Sequence, residues 1–267
     1  MEHTLPRALT YLLIHILTSR RWICSAFVQG FQRREASTPS PLPCSSTKTC
    51  LPALSPEPEN SRFGRRDYWN EFYEKEQNFS WYAGWDELAP FLQDFISDRD
   101  AAVLLPGVGN DATLVDMYTK GGYRNLTAMD YAPEAIERCR EMLEATTTYD
   151  VDLVVADARN LRGVFENEQF TAVFEKGTLD AIFLSGGQDK DLARKNMNLA
   201  IAELSRCVKP GGIFLSIAGV VTDAIQESFD QQLDQWECLV DKNVLYTSDE
   251  GYTSNNIDGN LLVWRKR

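Results

Sequence analysis

The chain has 267 residues, 43% of them apolar and 25% charged, enough to bury one core of about 200 residues with a remainder left over. Six basic and four acidic residues fall in the first 60; the rest holds 21 basic against 35 acidic residues, a net of about −14, which repels polyanions. No nucleic-acid partner is therefore expected, and a protein substrate with a basic surface suits the field better.

The six cysteines show no C-x-x-C spacing, so neither a zinc site nor a disulfide framework is expected. Both histidines, His3 and His15, lie in the first 60 residues. A chain that loses this segment has no Ser-His-Asp or Cys-His hydrolysis open to it, and no His-ligated metal.

Within those first 60, Leu9, Leu12, Leu13, Ile16 and Leu17 recur at helical spacing, Arg20-Arg21 and Arg33-Arg34 follow, and 36–58 is rich in Ser, Thr and Pro. Thr10, Tyr11 and His15 interrupt the apolar run, which is too short to cross a bilayer, so no stable membrane span is expected. An acid-poor leader with Arg and Ser reads as an organelle-targeting peptide, mitochondrial or plastid, followed by a disordered linker. The Ser25-Ala26-Phe27 step resembles the cleavage junction of two-part plastid leaders. A disordered tail or a misassigned start is the alternative, with a cytoplasmic protein as its consequence. The expected division is leader and linker over 1–60 and one catalytic domain over 61–267.

Two aromatic-rich helices are predicted over 67–77 and 86–97. A strand over 101–105 ends in Pro106-Gly107-Val108-Gly109-Asn110, and helix begins near Asp111. The second strand, 126–129, ends at Asp130, with Pro133 in the first turn of the next helix. A third strand over 151–155 precedes Asp157, and a fourth over 170–174 ends at Glu175. A long helix over 189–208 carries Met197, Ile201, Leu204 and Val208 on one stripe and leads through Lys209-Pro210-Gly211-Gly212 into a strand over 213–217. One more helix and strands over 237–240 and 260–264 follow. This alternation predicts an α/β, Rossmann-like, doubly wound seven-stranded sheet, mostly parallel with one antiparallel strand near the C-terminus.

In an open parallel sheet the ligand lies beyond the carboxyl ends of the strands. Four sets of residues stand there. Gly107 and Gly109 let the backbone turn sharply and approach a ligand closely. Asp130 is placed to accept both hydroxyl hydrogens of a ribose, Asp157 to meet an adenine amino group, and Glu175 to floor the reaction site. Each alone is an ordinary turn residue; their recurrence at successive strand ends carries the argument. Gly107-x-Gly109-x-x-Ala112 with Asp130 downstream also satisfies the dinucleotide fingerprint, so a nicotinamide-dependent dehydrogenase is the rival. The lack of a Tyr-x-x-x-Lys pair and of a domain histidine weighs against it.

Taken together these residues resemble the seven-stranded class I methyltransferases over 62–267. Glu175-Lys176-Gly177-Thr178-Leu179-Asp180-Ala181 is similar to the Asp/Glu-Lys-Gly-Thr-x-Asp-Ala segment of the methyltransferase-like lysine methyltransferases that act on elongation factor 1A and citrate synthase. Asp67-Tyr68-Trp69 and Trp81-Tyr82 resemble that group's N-terminal aromatic segment, which helps cover the cofactor, while Val108 replaces the group's usual Cys. The resemblance implies S-adenosyl-L-methionine as cofactor and a protein lysine, as on elongation factor 1A, as methyl acceptor. It implies cofactor contacts from Gly107, Gly109, Asn110, Asp130, Tyr131, Asp157, Ala158 and Glu175. Glu175 and Asp180 become the candidate catalytic acids, positioning the amine and drawing off its proton directly or through water. A small-molecule methyltransferase and an inactive cofactor-binding scaffold stay open, and oligomeric state is not legible.

Of Tyr68, Trp69, Phe72, Tyr73, Trp81, Tyr82 and Trp85, about five are expected to pack the core and one or two to face a sulfonium or substrate ammonium. Lys176 is expected to be structural or on the surface, because a second cation beside a sulfonium raises the local charge.

Overall fold

The computed structural model describes residues 61–76, 78–146, 148–245 and 259–267; the leader and linker expected over 1–60 lie outside the described residues. A 3-10 turn, Arg62–Gly64, leads into α1 (Arg66–Lys75) and α2 (Trp85–Phe95). Then come β1 (Val103–Pro106), α3 (Thr113–Thr119), β2 (Leu126–Asp130), α4 (Pro133–Thr146) and β3 (Val151–Val155). The second half holds β4 (Phe170–Lys176), α5 (Thr178–Leu184), α6 (Lys190–Cys207), β5 (Val208–Ala218), α7 (Thr222–Asp230), β6 (Trp236–Leu245) and β7 (Gly259–Lys266).

The strands form one seven-stranded sheet in the order β3-β2-β1-β4-β5-β7-β6. Only β7 runs antiparallel, against both β5 and β6, as the hairpin-like end of the sequence predicts. The central strands read as continuous apolar runs because helices cover both faces. Alternate residues face opposite cores: Val103 and Leu105 pack on one side with Leu88, Leu92 and Leu114, and Leu104 on the other with Met197, Ile201 and Leu204. The Met197, Ile201, Leu204 stripe of α6 is fully buried there, as its spacing requires. Among the described residues no helix is long and apolar enough to cross a membrane.

Two elements differ from expectation. The seven-residue α5 is not among the elements expected from sequence; Gly177, at φ 77°, turns the chain directly out of β4 into it. The Lys209 to Gly212 turn is absorbed into β5, which begins at Val208 opposite Phe170. Gly211, at φ 78°, and a register shift between Phe170 and Ala172 accommodate it as an irregularity in the ladder.

Candidate active site

The loops leaving β1, β2 and β4 meet at the carboxyl edge of the sheet, and Asp130 joins the first two. Its Oδ2 accepts from the Gly109 amide at 3.1 Å and its Oδ1 from the Ala132 amide at 2.9 Å. The carboxylate is buried, yet each oxygen keeps acceptor capacity beyond these bonds. Burial pushes the carboxyl up to about 6, with the amides of Ala132, Gly109 and Tyr131 pulling the other way.

The two motif glycines serve different ends, although both adopt left-handed φ, 60° at Gly107 and 61° at Gly109. A Cβ on Gly107 would lie 2.3 Å from the hydroxyl of Thr178, which itself donates to the Pro106 carbonyl at 2.8 Å. Gly107 therefore seats the start of α5 against the end of β1. A Cβ on Gly109 would instead meet Tyr73, its hydroxyl at 3.2 Å and its ring carbons at 3.5 and 3.6 Å. Beside it the Asn110 amide donates to the Glu76 carbonyl, which ties the end of α1 to the loop, and Asn110 Oδ1 is buried without a hydrogen-bond partner.

Asp157 stands after β3 as expected, half-buried, and is gripped by Arg159 through Nε at 3.0 Å and Nη2 at 2.7 Å. Burial would raise its pKa, but the Arg159 hydrogen bonds outweigh that and hold the carboxyl below its ordinary value. The Ala158 side chain packs into the core beneath α6. Tyr131 joins the aromatic cluster around Trp69 and Tyr73, with the Arg66 guanidinium 5.7 Å from its ring centre. Arg66 also lowers the Asp157 pKa, and no sequence feature marked it for this place.

Glu175, at the end of β4, is almost wholly buried. Its Oε2 accepts from the Thr178 and Leu179 amides at 3.0 and 3.2 Å, capping α5, and its Oε1 accepts from the Ser216 hydroxyl. Burial pushes the carboxyl up to about 8; the Ser216 bond opposes this and Asp180 adds to it. Asp180 is also buried and takes four donors. Oδ2 accepts from the Tyr82 hydroxyl at 2.7 Å and the Gly219 amide at 3.0 Å, and Oδ1 from the Val220 and Val221 amides, both at 2.9 Å. Burial raises its pKa too, against the pull of those donors.

The structure thus brings the two candidate acids to one corner: Asp180 is filled by four internal donors, whereas Glu175 accepts three and its Oε1 keeps acceptor capacity. Ser216 was missed by the sequence reading, although a lone serine inside the apolar run of β5 is the signal that could have found it.

Lys176 is structural, as expected, but interior rather than on the surface: it forms an ion pair with Asp111 in which both side chains are more than nine-tenths buried. Of the seven aromatics, Trp69, Tyr73, Tyr82 and Trp85 are buried, while Tyr68, Phe72 and Trp81 are half-buried.

A glycine turn after the first strand, an acid at the end of the second, further acids after the third and fourth, and the order β3-β2-β1-β4-β5-β7-β6 define a class I, S-adenosylmethionine-dependent methyltransferase. The sequence model described as a methyltransferase domain matches residues 104–216. Methyltransferase srdJ of Neurospora crassa is 31% identical across 70% of this chain and 80% of its own length. EEF1A lysine methyltransferase 2 of Homo sapiens is 32% identical across 58% of this chain and 67% of its own. The eEF1A lysine and N-terminal methyltransferase homolog of Drosophila melanogaster is 32% identical across 58% of this chain, which spans 22% of that longer protein.

Among solved structures, the one described for the conversion of a disulfide bond into a thioacetal group during echinomycin biosynthesis shares the fold. Its TM-score is 0.54 and its identity 18%, over 76% of this chain and 93% of that one. The chain belongs to the methyltransferase family, and the nicotinamide reading of its glycine motif falls accordingly.

Proposed function

We propose that this protein transfers the methyl group of S-adenosylmethionine to a lysine side chain on a protein with a basic surface, with elongation factor 1A as the first candidate. The observation that carries the substrate class is its 32% identity to a human relative named EEF1A lysine methyltransferase 2, together with the segment Glu175 to Ala181. Residues 61–267 are the catalytic unit in this reading, and 1–60 a leader that addresses it to an organelle.

The residues at the carboxyl edge fit the cofactor. Asp130 has acceptor capacity left for the two hydroxyls of a ribose, and Asn110 Oδ1, buried and unpartnered, suits the ammonium of an amino acid. Gly109 between them gives its amide to Asp130 and lies against Tyr73, and Tyr131, Asp157 and Ala158 extend the set along the ends of β2 and β3. Bound S-adenosylmethionine supplies an electrophilic methyl group whose thioether leaves without an acid.

The protein's part is alignment and exclusion of water. A lysine attacks only as the neutral amine; Asp180, with four internal donors, has no place for its proton, which passes to solvent directly or by way of Glu175, whose Oε1 keeps acceptor capacity. The negative charge of the domain favours approach of a cationic side chain.

Mass spectrometry of a lysate treated with purified protein and isotopically labelled cofactor tests this reading. Label is expected on protein lysine, falling as salt screens the attraction and rising with pH as the amine loses its proton. Label on a small carboxylic acid, a thiol or nucleic acid, with none on protein lysine, would overturn the substrate class.

Asp130 adds a pH dependence of its own. The ionised carboxylate is the stronger acceptor, so affinity for S-adenosylhomocysteine should rise as pH climbs through about 6 and level off above it. Below that point it should change by up to about tenfold per unit. Calorimetry at pH 5, 6 and 7.5 reads this, and a flat profile would separate Asp130 from the ribose.

A further inference from the structure

The charged residues of the strand-four segment that are not taken up by the cofactor set all reach one short stretch of chain, Ser80-Trp81-Tyr82. Lys176 Nζ donates to the Ser80 hydroxyl and to the Trp81 carbonyl, each at 3.0 Å, and its third bond goes to Asp111. Asp111 in turn accepts from the Thr113 amide at 2.6 Å, so the ion pair is anchored to the start of α3. All three donors of the ammonium are spent, which is what allows a lysine to be buried at this depth.

Two residues further on, the Tyr82 side chain enters a slot between three glycines. A Cβ on Gly219 would lie 2.5 Å from its ring, one on Gly259 2.9 Å from its Cβ, and one on Gly177 3.3 Å from its ring. At the foot of the slot its hydroxyl donates to Asp180. Tyr82 pays for this position with φ 66°, a conformation that non-glycine residues rarely adopt and that persists only where surrounding contacts hold it.

We infer that Lys176 and Asp180 are positioning residues that clasp Ser80-Trp81-Tyr82 across the ends of β4 and β5, and so set the wall along which the methyl acceptor is aligned. The clasp holds a side chain at position 80, a carbonyl at 81 and a phenol at 82. Trp81 is the residue it leaves half-buried, with the Trp81 Cβ 3.7 Å from where a Cβ on Gly177 would stand. Trp81 also packs in the cluster that holds Ala132, after β2, and Ala181, on α5. A residue held from both sides at that place acts on alignment, the main demand of methyl transfer. For its catalytic consequence the inference rests on the lysine methyltransferase reading; for the clasp itself it rests on geometry alone.

Two variants test it. Tyr82→Phe removes the phenol and keeps the ring in its slot. The double variant Lys176→Met with Asp111→Asn removes the buried charges as a pair and keeps an acceptor for the Thr113 amide. Amide hydrogen exchange over 79–84 is read together with kcat, the KM for protein substrate and the Kd for S-adenosylhomocysteine. Each variant is expected to melt within a few degrees of the parent, to exchange at least tenfold faster over 79–84, and to lose at least tenfold in kcat while the Kd changes less than threefold.

Unchanged exchange in both variants would overturn the clasp. Faster exchange with unaltered kcat and KM would overturn its positioning role. A parent protein that methylates no lysine would sink the substrate reading instead, and the exchange measurement would still decide the clasp.

Discussion

Replacing Asp130 by alanine is expected to weaken S-adenosylhomocysteine binding by about 2–4 kcal/mol, roughly 30- to 700-fold, because two ribose hydroxyls each bond a charged acceptor, worth about 1.5–3 kcal/mol apiece before water partly replaces them. The fold should survive the change. Asp130 is a buried carboxyl whose ionised form is disfavoured by its surroundings, so its removal relieves a desolvation cost while it releases the Gly109 and Ala132 amides. Asp130→Asn separates the two roles: one amide oxygen still accepts from the loop, but the charge is gone. Calorimetry beside a thermal melt reads both, and an unchanged affinity in Asp130→Ala would remove this residue from the site.

Gly107→Val should damage stability rather than binding. Its Cβ would sit 2.3, 2.6 and 2.9 Å from three atoms of Thr178, and its backbone holds φ 60°. Overpacking costs about 1–3 kcal/mol. A β-branched residue in left-handed conformation adds about 1–3 more. The sum, about 2–6 kcal/mol, is a large share of the roughly 5–15 kcal/mol that holds a domain folded. Thr178→Gly introduced alongside should recover the steric part and leave the conformational part. A Gly107→Val protein with a normal urea midpoint and lost cofactor affinity would show instead that this glycine exists for the ligand and not for α5.

The contrast between Gly107 and Gly109 shows where reading the sequence stops. Both glycines are legible as a turn after the first strand, because a left-handed backbone there requires residues without a Cβ. That Gly107 makes room for a threonine 71 residues later, while Gly109 faces Tyr73, follows only from packing.

The fold itself was written locally. Continuous apolar runs in β1, β2 and β4, the Met197 to Leu204 stripe of α6 and the acids at strand ends are short-range signals, and a parallel sheet covered on both faces is the arrangement that satisfies them. Asp130, Asp157 and Glu175 could therefore be assigned to strand ends from position alone.

What each acid does there could not. Glu175 meets Ser216 across 41 residues, Lys176 meets Asp111 across 65 and Asp180 meets Tyr82 across 98. Spacing in the chain leaves no trace of such pairs, since a hydrogen bond between distant segments depends on how the elements pack and not on any period within them. The sequence alone determined a doubly wound sheet with acids along its carboxyl edge. Only the tertiary structure decided that Asp180 is filled by internal donors and Glu175 held by three, because burial in a common corner obliges each buried carboxyl to find its partners within the fold.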